Sequence, residues 1–479
     1  MKNKPIVEEK SIFEHVSDDG RIHDKIPMAD LPAAYVRNDI EGMPDPAEPE
    51  VVRHFTRLSY MNYSLDAGMY PLGSCTMKYN PKLMEKAAQY EGFLMLHPMM
   101  EQSTTQGILK LIYDTEQYLK MITGMDSFSL QLAAGAHGEL AGMLITAKYH
   151  RVNKTNKHTI LIPDTAHGTN PASASMAGFK VVNIPSGPHG MIEAGMIRPY
   201  VNDDTAGIML TIPNTLGIFE EQIADIAKLI HDAGGLVYVD GANFNALIGK
   251  ARYSDMGVDI VHLNLHKTFA TPHGSGGPGA GVVGVSSFLK EFLPVPVVER
   301  KDREFVMSCD LKNTIGRMVG FYGNVGIIVR AYTYMRMLGL DGAKEVSEAA
   351  VLNANYIRAV LKNYYNLPYA TPTLHEVVFD DKFQNGDGVK TIDIAKRLID
   401  YGFHPPTVYF PLIVHGAIMI EPTETESKDE LDRFISAMKS IADEIKHNPE
   451  VVINAPHTTP VKRVDEVRAA REPRLVWKR

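Results

Sequence analysis

Gly235-Leu-Val-Tyr-Val-Asp240-Gly-Ala-Asn243 and, shortly after it, Val261-His-Leu-Asn-Leu-His-Lys-Thr268 decide how this chain is read. The first stretch is an apolar run that ends in a carboxylate. An acid at the C-terminal edge of an apolar parallel strand sits where open α/β sheets place their ligands. A carboxylate there can pair with a buried cationic nitrogen, although an isolated Asp is more commonly a helix N-cap or a loop acid. In the second stretch Leu263 and Leu265 alternate with His262, Asn264 and His266, which is strand spacing. A metal shared by His262 and His266 would need a helix, where i and i+4 lie on one face. On a strand the two rings are about 13 Å apart, too far for one ion, so no metal site is expected. Lys267 falls where the strand gives way to the glycine-rich run Pro272–Gly279. Lysines at such points are usually solvated. This one is flanked by small and aromatic residues, and a lysine held in a dry pocket can form a Schiff base.

From Met125 to about Ala331 short β-branched runs alternate with helical stretches. The runs are Thr159–Pro163, Lys180–Ile184, Gly207–Ile212, Gly235–Asp240 and Asp259–Leu265. Helices are expected between them, at Glu139–Tyr149 and Glu221–Ala233. That rhythm predicts an α/β fold with a mainly parallel sheet covered on both faces. After about Gly339 the texture changes to one long helix over 343–365, a strand at Leu374–Phe379 and a helix at Ile392–Tyr401. Ser427-Lys-Asp-Glu430 reads as a capping box. It opens an amphipathic helix carrying Leu431, Phe434, Ile435, Met438, Ile441 and Ile445 on one face. The expected organisation is an N-terminal arm over 1–90, a large domain over 91–338 and a smaller α+β domain over 339–479.

A length of 479 residues is too great for one compact domain. With 44% apolar and 22% charged residues the chain is an ordinary globular one. Only Cys75 and Cys309 are cysteines, which excludes a disulfide scaffold or a Cys-based zinc cluster and fits a reducing, cytoplasmic setting. The net charge of −8 argues against nucleic acid as a partner. The longest uncharged run, Thr268–Leu289, holds six glycines and two prolines, so it reads as loop-rich and not as a membrane span. The N-terminus shows no secretory or transit pattern. The last nineteen residues are net +4, leaving −12 on the rest; they read either as a solvated tail or as a segment that docks on an acidic partner.

Two more segments carry chemistry. Gln131-Leu-Ala-Ala-Gly135-Ala136-His137-Gly138-Glu139 precedes an apolar helix, whose first N–H groups can hold a phosphate; Gly-Ala before a helix is also common for structural reasons alone. Pro163-Asp-Thr-Ala-His167-Gly-Thr-Asn-Pro171 follows a strand, and a histidine at a strand exit can stack on a flat ring, though a lone histidine is more often structural. Gly135, His167, Asp240 and Lys267 run in the order phosphate loop, ring-stacking residue, pyridine-nitrogen partner and Schiff-base lysine. Asp240 and Lys267 are 27 residues apart. This order resembles the fold-type-I enzymes that use pyridoxal 5′-phosphate (PLP), the aspartate aminotransferase-like PLP-dependent transferases. Asn214, 26 residues before Asp240, looks like the asparagine that hydrogen-bonds the cofactor's 3-oxygen in many of them.

Longer strings narrow the resemblance. They are 70–81, 166–174, 266–279, 321–324, 421–427 and the tail from Thr459 to Glu466. They resemble the C-terminal-half subunits of glycine decarboxylase, the P-protein family of the glycine cleavage system, over roughly residues 55–479. Leu132 and Ile212 depart from the pattern, where Pro and Asn are expected. The resemblance implies PLP as cofactor and glycine as substrate. It implies as partners the lipoylated H-protein and a second P-protein subunit, subunit 1, in a heterotetramer with two copies of each. Within it Lys267, His167 and Asp240 are the expected catalytic residues. Gly135, Ala136, His137, Asn214, Ala242, His266 and Ser275 are the expected further cofactor ligands. Ser74, Cys75, His97 and Arg317 are candidates for the substrate side. The rivals are another fold-type-I activity, such as an aminotransferase or a cysteine desulfurase-like enzyme, and a non-catalytic scaffolding subunit.

Overall fold

The structure is a computed structural model describing residues 9–14, 32–35, 44, 46–274, 279–385 and 388–476. Residues 1–8, 15–31, 36–43 and 45 of the expected N-terminal arm, Ser275 and the last three residues of the basic tail lie outside that set. Apolar residues at successive strand positions leave no face for water, so the strands stack into the middle of the molecule. The strands are β1 (Ser127–Leu132), β2 (Thr159–Pro163), β3 (Lys180–Ile184), β4 (Thr205–Thr211), β5 (Leu236–Asp240), β6 (Ile260–Asn264) and β7 (Gly281–Val285). They form one sheet in the order β1-β7-β6-β5-β4-β2-β3. Strands β2 to β6 pair in parallel, and β7 runs antiparallel to both β6 and β1. Strand β3 closes one edge and exposes Lys180 and Asn183, which blunts that edge against pairing.

The run expected to be loop-rich, Thr268–Leu289, contains strand β7. Glycine is there because the backbone comes close. A Cβ on Gly281 would lie 2.2 Å from the Ala134 carbonyl oxygen, and one on Gly284 would lie 2.4 Å from the Phe128 ring. The helix expected over 343–365 also differs. It spans Val325–Leu361, with a break at Gly339 (φ 60°, ψ −165°), a conformation glycine adopts without strain. The part before the break buries Ile327, Ile328 and Val329 in the core on one side of the main sheet. The part after it carries Ile357 and Leu361 into a second core.

That second core lies under a three-stranded antiparallel sheet of β10 (Val377–Phe379), β12 (Ile418–Ile420) and β11 (Thr407–Val408); β8 (Val297–Lys301) and β9 (Glu304–Ser308) form a separate hairpin. Helices Thr391–Asp400 and Lys428–His447 cover it. All six apolar residues expected on one face of the second helix are buried. The Ser427 hydroxyl accepts the Glu430 N–H, but the Glu430 carboxylate takes the Met69 N–H at 3.1 Å, so that acid serves a tertiary contact. Phe434 is fully buried and meets Phe403 edge-on at 5.4 Å. Phe434→Ala will cost about 3–5 kcal/mol, read as a lower urea midpoint for the transition that includes this helix; a loss under about 1 kcal/mol would refute the packing.

Residues 69–80 thread between the two cores. Leu72 bridges to Ile420, and the Tyr79 N–H reaches the Thr425 hydroxyl. The buried Lys78 ammonium bonds Glu424 at 2.7 Å, Asn245 at 2.7 Å and the Tyr334 hydroxyl at 3.2 Å. A buried ammonium is tolerated only when so paired. The basic tail runs exposed over 461–476, with Arg463 paired to Asp393 at 2.8 Å. Among the described residues no helix is long and apolar enough to cross a membrane.

Candidate active site

The C-terminal edges of the parallel strands bring three of the sequence's chemistry-bearing segments to one end of the sheet. Asp240 is the last residue of β5 and has no solvent exposure. Its carboxylate accepts the Ala242 N–H at 2.9 Å and the Asn170 side-chain amide at 3.0 Å. His262 Nε2 lies 3.5 Å from one of its oxygens, and His167 Nδ1 lies 3.8 Å from the other. His262 is held in turn by the Tyr238 hydroxyl at 2.6 Å and by Asn264 at 3.1 Å. This places His262 in the wall behind Asp240. No side-chain cation of Lys or Arg touches Asp240 among the described residues.

His167 follows β2 and is partly exposed. Its N–H is anchored on the Thr211 hydroxyl at 2.8 Å. Its Nδ1 faces the Thr169 hydroxyl at 2.8 Å and Glu139 at 3.5 Å. Glu139 is buried on the first turns of helix Gly135–Val152, where it accepts the hydroxyls of Thr169 and Ser173. Burial pushes the Glu139 carboxyl up. The His167 bond and the His262 charge outweigh burial and bring it down to about 2. Glu139 and Asn170 were not singled out as site residues from the sequence. The available signal was an acid in the first turns of an otherwise apolar helix.

The same helix opens at Gly135 with no side-chain cap. A Cβ on Gly135 would fall 2.0 Å from the Asn264 amide nitrogen, so only glycine lets the chain pass. Ala136 is exposed, and His137 is half-buried with Nδ1 facing the Ala133 N–H at 3.3 Å. The first N–H groups of an eighteen-residue helix therefore face outward beside the strand ends, as an anion requires.

Lys267 sits just beyond β6, half-buried, with its N–H on the Asn264 carbonyl at 3.2 Å. Among the described residues its ammonium makes no hydrogen bond or ion pair. Its charge nevertheless acts on Cys75, His375, Glu376, Glu421 and His273, so it faces the seam between the main sheet and the small sheet. His266 points the other way, with Nδ1 against the Ala280 backbone at 3.1 Å and Nε2 against the Asn264 amide at 3.3 Å. Burial pushes His266 down to about 3, helped by the Lys267 charge, so its ring is neutral.

Ser74 and Cys75 belong to the same seam. The Ser74 N–H donates to Glu376 at 2.7 Å, and the Thr76 N–H donates to Glu421 at 2.9 Å. Three further candidates stand apart from this set. Asn214 is buried, but both ends of its amide are used within its own turn. Its nitrogen donates to Gly190 and Glu220, and its oxygen accepts from Leu216 and Ile218. His97 is exposed and bonds only within its own loop, to Met99 and Met100. Arg317 is exposed, with Cys309 sulfur at 3.9 Å as its contact.

A partnerless half-buried lysine, a buried carboxylate without a cationic side chain and an uncapped glycine-opened helix converge on one sheet edge. An aldehyde, a basic ring nitrogen and a phosphate are the three groups such a set accommodates. The fold and this set define the class: a fold-type-I, PLP-dependent enzyme. An aminotransferase class-V model matches residues 136–297, and a model of the glycine dehydrogenase C-terminal domain matches residues 346–462. A crystal structure of a glycine decarboxylase (P-protein), in inhibitor-bound form, superposes with a TM-score of 0.72 at 19% identity, over 86% of this chain and 93% of that one. A cysteine desulfurase from Thermococcus onnurineus superposes at 0.62 with 14% identity, over 79% of this chain and 95% of that one. In sequence the chain is 52% identical to the Pyrococcus abyssi protein named "Probable glycine dehydrogenase (decarboxylating) subunit 2", over 98% of this chain and 96% of that protein. A Kosmotoga olearia protein of the same name is 55% identical over 93% of each. The chain belongs to the glycine dehydrogenase (decarboxylating) subunit 2 family.

Proposed function

We propose that this chain is the PLP-bearing subunit of a glycine decarboxylase of the glycine cleavage system, an aminomethyl-transferring, decarboxylating glycine dehydrogenase. The observation that carries the reading is the near-full-length identity to subunit 2 relatives. The side chains support it. Lys267, whose ammonium has no partner among the described residues, would hold the cofactor covalently. Bound PLP supplies a sink for the electron pair left on carbon when carbon dioxide departs. Asp240 keeps the proton on the ring nitrogen that makes the sink effective, and Ala242 and Asn170 fix its two oxygens. His167, anchored through Thr211, supports the ring face. The N–H groups from Gly135 onward, with His137, receive the phosphate, and Ser275 is a further candidate there.

The partners follow from the same reading. They are a subunit 1 chain, in a heterotetramer with two copies of each, and an H-protein whose lipoyl disulfide accepts the aminomethyl group. In that step a carbon–sulfur bond forms, the sulfur–sulfur bond breaks, and the second sulfur leaves with the electron pair and takes a proton. Cys75 and Cys309 are both unpaired thiols, which fits a reducing location such as the cytoplasm. The desulfurase-like structures share the fold at identities too low to carry an activity.

Exchange of labelled bicarbonate into the glycine carboxyl tests the reading. Purified chain with subunit 1 and lipoylated H-protein will incorporate label, and omission of the H-protein will lower the rate by at least about tenfold. A fully loaded complex with no exchange would refute it.

A further inference from the structure

The seam beside Lys267 holds a cluster that the reading above leaves unused. His375, Glu376 and Glu421 have no solvent exposure, and a nitrogen of the first and carboxylate oxygens of the other two all lie within 4.8 Å of one another. Glu376 comes from the residue before β10 and Glu421 from the residue after β12. Glu376 takes the Ser74 N–H at 2.7 Å, the Ser74 hydroxyl at 3.3 Å and the Asn243 amide at 3.5 Å. Glu421 takes the Thr76 N–H with one oxygen, and its other oxygen has no partner among the described residues. His375 Nε2 stands 3.8 Å from Glu376, and among the described residues neither of its ring nitrogens is hydrogen-bonded. To place these donors, Ser74 (φ 58°) and Thr76 (φ 49°) both adopt the left-handed region, a strained choice for residues with a Cβ.

Two carboxylates this close in a dry space cannot both ionise cheaply, so one proton is retained between them. From residues 69–80 they are faced by Cys75 and, at longer range, Lys78, which is already paired with Glu424. From the small sheet they are faced by His375, and from the large domain by Asn243 and Lys267. Burial pushes His375 down to about 3, so it is neutral. Burial pushes Glu376 well up, with Glu421 adding to it, and burial pushes Glu421 to about 7. Among the described residues, Lys267 is the cation facing the pair whose charge no other side chain takes up.

We propose that Glu376 and Glu421 share one proton and act together as the proton acceptor and donor for the Lys267 amine. A lysine attacks a carbonyl only as the neutral amine. When the Lys267 ammonium passes its proton to the pair, one N–H bond breaks and one O–H bond forms. A +1 and a −1 charge cancel, and no isolated charge remains in the seam. The reverse transfer re-forms the ammonium when the lysine is displaced. Ser74 and Thr76 are positioning residues for the pair, which gives the strained turn around Cys75 a role. The inference rests on Lys267 being the residue that carries the cofactor.

The experiment follows PLP loading and proton location, without glycine or H-protein. Apo chain with subunit 1 is mixed with PLP, and attachment at Lys267 is read by absorbance and by borohydride trapping. Glu376→Gln and Glu421→Gln will each slow attachment about 100-fold at neutral pH, and the rate will recover as rising pH deprotonates the lysine directly. Infrared spectra of the wild-type complex will show a protonated carboxyl that both single variants lose, because the remaining carboxyl pairs with Lys267 and ionises. Attachment rates equal to wild type in folded variants, or a carboxyl band that survives both substitutions, would overturn the proposal. So would a stoichiometric divalent metal in the wild-type protein, since the same three side chains can ligate one. Trapping at a residue other than Lys267 would instead refute the underlying assignment of the lysine.

Discussion

Lys267→Ala will leave a folded protein that cannot attach its cofactor. Among the described residues the Lys267 side chain makes no hydrogen bond and no ion pair, and the buried Glu376–Glu421 pair can take up a second proton in place of its charge, so the variant should still fold, with an unchanged circular-dichroism spectrum at neutral pH. The chemical consequence is of a different order. With no amine at the end of β6, PLP has no covalent anchor, so the absorbance at the edge of the visible and the borohydride-stable adduct both disappear. Loss of a nucleophile typically costs about 10⁴-fold or more in turnover, and exchange of bicarbonate into glycine should fall by at least that. A second signature follows from the charges. The Lys267 ammonium lowers the titration of Cys75 while burial raises it. Without the ammonium the thiol moves further up, so Cys75 should alkylate more slowly at neutral pH in the variant. A variant that keeps the absorbance band would show that another residue carries the cofactor.

The sheet was legible because its strands are short apolar runs between helices, and Thr159–Pro163 and Lys180–Ile184 keep the boundaries read from sequence. Strand β7 was not legible, because Gly281 and Gly284 are selected by backbone approach, and glycine in a sequence reads as loop. The long helix was read short for a related reason. The segment Val325–Leu338 mixes Tyr, Met and Arg with its aliphatics, and Gly339 marks a break inside a helix that the sequence suggests as a boundary. The places of Asp240 and Lys267 at the C-terminal ends of two strands were legible, since both follow clear apolar runs. For Asn214 the spacing from Asp240 gave no sign that its hydrogen bonds close a local turn. His375-Glu376 sits just ahead of β10 in a run read as a strand, and Glu421 lies 45 residues further on. A polar pair beside a strand is a visible oddity, but its meaning depends on two segments meeting across a seam, which spacing does not encode.

Asp240→Asn is the sharper test of the chemistry, because it changes charge and almost nothing else. Asparagine has the same shape, and its side-chain oxygen can still accept the Ala242 N–H. Its amide would meet the Asn170 amide, donor against donor. The Asn170 oxygen is buried without a partner among the described residues, so a flip of that side chain restores a bond. The fold should therefore survive, with a loss of about 1 kcal/mol or less. What the variant lacks is the buried anion. His262 and His167 lie at 3.5 Å and 3.8 Å from this carboxylate, and no Lys or Arg among the described residues competes for it. Its charge is thus available to a protonated ring nitrogen, and each pKa unit of that pairing is worth about 1.4 kcal/mol. Losing about three units predicts a thousandfold fall in kcat with the covalent linkage at Lys267 intact, since anchoring and electron withdrawal rest on different residues. A cofactor analogue whose ring nitrogen carries a permanent positive charge, such as an N-methylated one, should restore much of that loss in the variant and add little to wild type. If the analogue gives no recovery while the linkage forms normally, Asp240 acts by shaping the pocket and not by its charge.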